Sequence, residues 1–113
     1  MEKSILLVMK SSVVRGAIAR FLQNLGFHVV ACSDVNEASR EKWLLRYVLF
    51  IVDYDLVAHQ DGVFVDVLQE LGRDVILLAS SETPKNKRFI IFGKKGCLPK
   101  LKTYLFDHGL ITT

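Results

Sequence analysis

The sequence lacks several features that mark particular protein classes. Its apolar runs, at residues 5–8, 48–52 and 75–79, are far shorter than the roughly 20 residues that a membrane-spanning helix needs. The start, Met-Glu-Lys, does not have the layout of a signal peptide. Neither Gly-x-Gly-x-x-Gly nor Gly-x-x-x-x-Gly-Lys occurs, so a glycine-rich phosphate loop is absent. These absences predict a soluble, cytoplasmic protein.

Cysteine is also scarce, because the chain has only Cys32 and Cys97. No second Cys or His stands within a short loop of either one, so neither has a metal-ligand spacing. In the sheet predicted below they lie on opposite edge strands, four spacings of about 4.8 Å apart. A disulfide needs Cα atoms within about 7 Å. We expect two free thiols, each a small buried hydrophobe.

Acidic residues are nearly missing from one stretch of the chain. The 113 residues carry a formal net charge of only +3, but residues 80–102 hold seven Lys or Arg and one acid, Glu82, a net +6. Such a patch attracts an acidic protein face or a nucleic acid, and ordinary solvated lysines on a helix are the alternative. The length suffices for one core, so residues 1–113 are predicted to form a single domain.

Strand-like and helix-like segments alternate along the chain, a pattern that predicts a parallel sheet. The strands are expected at residues 4–9, 27–31, 48–52, 75–79 and, as a short last strand, 97–99. The first begins with a continuous aliphatic run, as strands buried on both faces do.

Helices are expected after each strand. The first begins at Ser11 or Ser12 and ends at Gly26, and the second begins at Asp34 and extends to about residue 47. A loop through Gly62 precedes the third, a basic helix opened by Thr83-Pro84 is the fourth, and a brief last helix covers residues 101–108. The predicted inward-facing side chains are Val14, Ile18, Phe21, Leu22, Leu25, Ala38, Leu45, Phe64, Leu68, Leu71, Phe89 and Phe92.

The carboxylate of Asp53 is the residue that best indicates a function. Asp53 ends the third apolar run, Asp61-Gly62 follows eight and nine residues later, and Gly-Cys-Leu-Pro-Lys at 96–100 stands near the end of the chain. Together with the five β/α units, these residues resemble the receiver domain of two-component response regulators over nearly the whole chain. The resemblance implies a flavodoxin-like three-layer α/β sandwich, a doubly wound five-stranded parallel sheet of order 2-1-3-4-5. Its site would lie at the carboxyl ends of the central strands.

Two site residues of a receiver carry over unchanged. The resemblance makes Asp53 the candidate phosphoacceptor and Lys100 the lysine at the end of strand five. The proline that usually follows this lysine is replaced by Leu101, and Pro99 precedes it instead.

The other positions depart from the family pattern. The first strand of a receiver ends in two Mg²⁺-binding acids, but Met9 and Lys10 stand there. The fourth should end in a Thr or Ser, but Ala79 holds that place with Ser80 beside it, and Cys97 stands at the aromatic switch position. A thioether and an ammonium cannot replace the oxygen ligands of Mg²⁺. The resemblance therefore implies a degenerate receiver, or pseudo-receiver.

Charge supports the same conclusion, because Asp53 with Lys10 and Lys100 sums to plus one, whereas an active receiver pocket with three carboxylates and one lysine is minus two. We expect no cofactor. Asp55 is the one residue that opposes this expectation, because its side chain offers a further oxygen ligand. The Lys10 ammonium is expected either to pair with Asp53 in place of the metal or to point into water. His59 and Asp61 are expected only to shape the turn.

Three functions are compatible with these residues. The first is a non-enzymatic protein-interaction module that acts through the fourth helix, fifth strand and fifth helix, with Lys85, Lys87, Arg88 and Lys94 exposed; the partner is a protein, a second copy of the chain being one candidate. The second is a working phosphoacceptor that receives a phosphoryl group on Asp53 from a histidine kinase and uses Mg²⁺. The third, with the thinnest support, is anion or nucleic-acid binding by residues 85–102.

Overall fold

The protein is described here from a computed structural model, which places residues 3–41, 44–58, 62–80 and 90–112. The strands are β1 (Ser4–Val8), β2 (His28–Cys32), β3 (Tyr47–Asp53), β4 (Asp74–Ala79) and β5 (Ile90–Gly93). The helices are α1 (Ser12–Asn24), α2 (Val35–Ser39), α3 (Tyr54–Ala58), α4 (Gly62–Glu70) and α5 (Cys97–Asp107), with a 3₁₀ helix at Leu44–Arg46. The strands form one parallel sheet in the order β2-β1-β3-β4-β5, so the predicted doubly wound α/β fold is confirmed.

The central strands are buried on both faces, as their continuous aliphatic runs predict. Alternate residues of β3 enter different cores, since Leu49 and Ile51 pack with α1 and α5 while Phe50 and Val52 pack with α2, α3 and α4. Residues that follow each other on one strand thus stabilise opposite layers of the sandwich.

Helix α1 forms as its sequence predicts. The Ser11 hydroxyl accepts a hydrogen bond from the Val14 N–H at 3.3 Å and so caps the first turn. Ile18 and Leu22 lie on the buried face. Gly26 has a φ of 98°, a conformation open to glycine, and turns the chain into β2.

The second helix is much shorter than predicted. The Asp34 side chain accepts a hydrogen bond from the Glu37 N–H at 2.7 Å, as its cap position predicts, but α2 ends at Ser39. Tyr47 lies in β3 instead of a helix, and Leu45, predicted to face inward, is 59% exposed. Trp43 lies outside the described residues. Tyr47 extends the strand predicted at residues 48–52 by one residue, because it pairs with Ser4 of β1 in the centre of the sheet.

The prediction for the fifth strand is wrong. Strand β5 is Ile90–Gly93, and it pairs with β4 through Leu78 and Phe92 and through Ala79 and Gly93. Residues 97–99 form the first turn of α5, which starts after Gly96 at a φ of 74°. Phe92 is therefore a strand residue and not part of a basic helix. The run Phe-Ile-Ile-Phe is too short for its period to distinguish strand from helix.

The remaining differences are smaller. Helix α3 directly follows β3 where only a loop was predicted, and α5 begins four residues earlier than expected. Phe64 and Leu68 are buried on α4, as predicted. Thr83, Pro84 and Phe89 lie outside the described residues.

The predicted free thiols are confirmed, although Cys97 lies in α5 and not on an edge strand. Both cysteines are buried. In the part of the chain that the structure describes, no helix has the length and apolar character required to cross a membrane.

Candidate functional site

Asp53 is the last residue of β3 and lies at the carboxyl end of the sheet. Its side chain is 1% exposed. One carboxylate oxygen, Oδ1, accepts a hydrogen bond from the Asp55 N–H at 3.1 Å, and Oδ2 accepts one from the Lys10 N–H at 3.2 Å. A buried carboxylate needs such donors, since desolvation otherwise penalises its charged form.

Lys94 supplies the positive charge. Its Nζ lies 2.8 Å from Asp53 Oδ1 and 3.2 Å from Asp55 Oδ2, and its side chain is 19% exposed. Burial by itself would lower the pKa of this ammonium, but the hydrogen bonds and charges of the two carboxylates outweigh burial and raise the pKa. Lys94 therefore stays charged at neutral pH and neutralises one of the two acids.

The backbone holds Lys94 in this place. Lys94 immediately follows β5, and its N–H donates to the Ala79 carbonyl at 2.8 Å. Its own carbonyl accepts from the Cys97 N–H at 3.4 Å, at the start of α5. The lysine thus connects the end of β4, the end of β5 and the beginning of α5 to the aspartate on β3.

Asp55 forms the outer part of the site. Its side chain, 42% exposed, accepts a hydrogen bond from the Ser80 hydroxyl at 2.7 Å through the same Oδ2 that meets Lys94. Ser80 directly follows β4, so the Asp55–Ser80 contact joins the start of α3 to the end of β4. Ala79, at the predicted hydroxyl position, is buried and offers only its carbonyl.

The end of β1 contributes backbone and no carboxylate. Met9 is fully buried, and its carbonyl accepts a hydrogen bond from Arg15 Nη1 at 2.8 Å. Lys10 is exposed. Among the described residues, Lys94 and not Lys10 places an ammonium on Asp53, so of the two alternatives for Lys10 the structure agrees with the exposed lysine and not with the ion pair.

Two further assignments change with the position of β5. Lys100 is an exposed residue in the first turn of α5, so Lys94 is the lysine that follows strand five. The predicted switch position, Cys97, lies three residues before Lys100. The residue three before Lys94 is Ile91, which packs against the core on the side of α2, α3 and α4. Both errors follow from the displaced strand. The signal that identifies Lys94 is the apolar run 89–92 followed by Gly-Lys.

The expected charge of the site also changes. Asp53, Asp55 and Lys94 sum to minus one, in place of the plus one expected from Asp53, Lys10 and Lys100. Lys94 is not an exposed member of the partner-binding face, because it faces the two carboxylates. Lys85, Lys87, Arg88, His59 and Asp61 lie outside the described residues.

Magnesium requires oxygen ligands in near-octahedral geometry. Within the described residues, no group of three or more His, Cys, Asp or Glu side chains is arranged to hold a metal ion. Asp53 Oδ1 and Asp55 Oδ2 both accept hydrogen bonds from the Lys94 ammonium.

Comparison with known proteins agrees with the architecture. No family model matches the sequence, and no curated protein matches it. Among solved structures, the chain is similar to a response regulator receiver domain protein from Bacillus halodurans C-125, at 18% identity and a TM-score of 0.77, over 96% of this chain and 97% of that one. It is similar to a receiver domain from Methylobacillus flagellatus at 16% identity and a TM-score of 0.76, over 95% of this chain and 98% of that one.

A third solved structure, the signal receiver domain of an HD domain-containing protein from Pseudomonas fluorescens Pf-5, has 21% identity and a TM-score of 0.71, over 95% of this chain and 94% of that one. The chain has the fold of response regulator receiver domains.

Proposed function

We propose that the chain is a signal-transduction module of the receiver type that works by binding a protein partner and does not accept a phosphoryl group. The receiver fold and the position of Asp53 at the end of β3 support the signalling role. The absence of phosphoryl transfer is inferred from the composition of the site, in which Lys94 neutralises Asp53 and the residues that follow β1 are Met9 and Lys10.

The chemistry of phosphoryl transfer gives the physical reason. Charge accumulates on the transferred group, and Mg²⁺ normally neutralises it while aligning the acceptor with the leaving group. Within the described residues, Met9 and Lys10 stand after β1 where acids would hold the ion beside Asp53. The module is accordingly proposed to use neither Mg²⁺ nor any other cofactor, and not to be an enzyme.

The proposed partner surface is formed by β5 and α5. Ile90 of β5 is 37% exposed and Phe106 of α5 is 49% exposed, and Lys100 and Lys102 of α5 are also exposed. Exposed apolar side chains and exposed lysines on these two elements suit a protein with an acidic surface. A second copy of the chain and a histidine kinase are the other partners to be tested. The proposed contribution of Lys85, Lys87 and Arg88 stays a prediction.

The test of the module is phosphorylation with a small donor. Wild-type protein and Asp53→Asn are incubated with phosphoramidate, with and without millimolar Mg²⁺, and intact mass is measured. The proposal expects no phosphoryl adduct in either protein. A Mg²⁺-dependent adduct on the wild type that is lost in Asp53→Asn would overturn it.

The partner surface is tested separately. Charge reversal of Lys100 and Lys102 to Glu should weaken binding to a candidate partner, whereas the control Arg20→Glu, an exposed position on α1, should not. Equal binding by both variants would exclude the β5–α5 surface.

A second candidate function is a working phosphoacceptor. It is favoured by the Asp53–Lys94 pair, which keeps an acceptor carboxylate and a strand-five lysine in contact at 2.8 Å, with the Asp55 carboxylate and the Ser80 hydroxyl close by. This candidate requires Mg²⁺ and a phosphoryl donor, either a histidine kinase or a small molecule, and the phosphoramidate experiment distinguishes it from the first.

Anion or nucleic-acid binding by residues 85–102 stays a prediction as well. Lys94 contributes less to it than expected, because its charge is compensated by two carboxylates. Steeply salt-dependent retention on DNA would favour this alternative.

A further inference from the structure

The two carboxylates of the site share one cation that belongs to the chain itself. Lys94 Nζ lies 2.8 Å from Asp53 Oδ1 and 3.2 Å from Asp55 Oδ2. We propose that this ammonium is the built-in substitute for a divalent ion, and that Asp55, oriented by Ser80, is the positioning residue that keeps it there. This inference rests on the proposed metal-independent function and explains how that independence is maintained.

The hydrogen bonds of Asp53 leave little capacity for another ligand. An ionised carboxylate has about four lone-pair sites. Three donors are already present on Asp53: the Asp55 N–H and the Lys94 ammonium on Oδ1, and the Lys10 N–H on Oδ2. A Mg²⁺ ion would have to approach these oxygens to about 2.0–2.1 Å. A Mg²⁺ ion that bridges Asp53 Oδ1 and Asp55 Oδ2 therefore has to displace the ammonium from both oxygens.

Asp55 and Ser80 make such displacement unfavourable. The Ser80 hydroxyl donates to Asp55 Oδ2 at 2.7 Å and turns this oxygen towards Lys94. Lys94 gains a second carboxylate, although Asp55 is 42% exposed while Asp53 is buried. An ammonium with one partner on each side is restrained more than one with a single partner.

The backbone contacts of Lys94 link the position of its ammonium to the connection between β5 and α5. The Lys94 N–H is bonded to Ala79 at the end of β4, and its carbonyl accepts from Cys97 in the first turn of α5. The residue that neutralises the carboxylates is thus part of the connection between β5 and α5. A permanently bound ammonium would keep this connection in one arrangement at any Mg²⁺ concentration.

The experiment uses Mn²⁺ as the probe, because its paramagnetism broadens amide signals near its site. ¹⁵N-labelled wild type, Lys94→Met and the matched control Lys95→Met are titrated with Mn²⁺. We expect no saturable broadening around Asp53 in wild type or Lys95→Met. We expect saturable broadening in Lys94→Met with an affinity at least about tenfold higher, since the local charge changes from minus one to minus two. Adding Asp55→Asn to Lys94→Met should remove most of the gain.

Equal Mn²⁺ affinity in wild type and Lys94→Met, at whatever strength, would overturn the inference. A second measurement does not depend on the folding of Lys94→Met: the ammonium hydrogens of Lys94 in the wild type should exchange with solvent several-fold more slowly than those of exposed Lys95. Exchange should become faster in Ser80→Ala and in Asp55→Asn. Equal exchange at Lys94 and Lys95 would also overturn it.

The two proposals fail separately. Phosphorylation of Asp53 in the phosphoramidate experiment contradicts the proposed function. The affinity of Lys94→Met for Mn²⁺ relative to the wild type decides whether Lys94 is the resident cation.

Discussion

Lys94 and Asp53 form an ion pair of 2.8 Å that spans the carboxyl edge of the sheet. Asp53 ends β3 and Lys94 follows β5, with β4 between them. The pair therefore exists only when three strands are assembled in register. The aspartate is buried, whereas the lysine keeps about a fifth of its side chain in water.

Removal of the lysine side chain should destabilise the protein through this pair. In Lys94→Met, the Asp53 charge loses its ammonium partner inside the protein, and we expect the free energy of unfolding to fall by about 2–3 kcal/mol. Urea unfolding at pH 7 measures the change.

The matched control is Lys95→Met, which should lie within about 0.5 kcal/mol of the wild type because Lys95 is exposed. The double variant Asp53→Asn/Lys94→Met should recover part of the loss, because it removes the unpaired charge. Equal stability of Lys94→Met and Lys95→Met would contradict the importance of the pair.

Stability should fall at alkaline pH because of Tyr47. This phenol is fully buried and donates a hydrogen bond to Glu41, and burial together with that acceptor raises the pKa of Tyr47 to about 12. An unfolded tyrosine ionises near pH 10. The stabilisation is therefore complete below about pH 10 and is lost as the pH rises towards about 12. The raised pKa of Lys94 acts in the same direction.

Urea unfolding of wild type and Tyr47→Phe over this pH range measures the contribution. Tyr47→Phe should be less stable at neutral pH, since Glu41 and Arg46 lose their partner, but should lose less stability above pH 10. A variant whose stability declines as steeply as that of the wild type would contradict the role of Tyr47.

Both cysteines should react slowly in the folded protein. Burial raises the pKa of Cys32 to about 11, with the nearby acids Glu37, Glu41 and Asp34 adding to the effect, and burial raises the pKa of Cys97 as well. Since the thiolate is the reactive form, we expect labelling by an aromatic disulfide reagent at pH 8 to be at least about 100-fold slower than in guanidinium. Labelling of the Cys32→Ser and Cys97→Ser variants shows which kinetic phase belongs to which cysteine. Rapid labelling of one thiol per protein molecule under native conditions would contradict this prediction.

The cap of α1 should contribute measurably to stability. The Ser11 hydroxyl accepts the hydrogen bond of the Val14 N–H, so Ser11→Ala leaves that donor without its side-chain partner. We expect a loss of about 1 kcal/mol in the free energy of unfolding. Ser12→Ala, one residue further along and inside the helix, is the control and should cost much less. Similar losses for both variants would show that Ser11 does not act as a cap.

Prediction from the sequence succeeded where one local signal was strong. Residues 48–52 read as a buried strand because they are continuously apolar, and Ser11 and Asp34 read as caps because their side chains can reach the first turn of a helix. Prediction failed where two signals competed. Phe89 and Phe92 have helical spacing, but residues 90–93 form an edge strand. Because the strand was predicted at residues 97–99 instead, Lys100 and not Lys94 was assigned as the strand-five lysine.

The contacts between side chains of the site could not be predicted from local sequence patterns. Lys94 and Asp55 are 39 residues apart in sequence, and Ser80 and Asp55 are 25 apart. No periodicity links them. Neither contact could be assigned before the strands were placed, and the misassigned fifth strand led instead to Lys100.

The sequence by itself determined the alternation of strands and helices, the parallel sheet and the position of Asp53 at its carboxyl edge, because these follow from burial patterns, caps and glycines that act over a few residues. Only the tertiary structure decided which cation neutralises Asp53. That choice depends on where β5 pairs with β4 and on how far the side chain of Lys94 reaches across the strand ends, and such distances arise only when strands remote in sequence lie side by side.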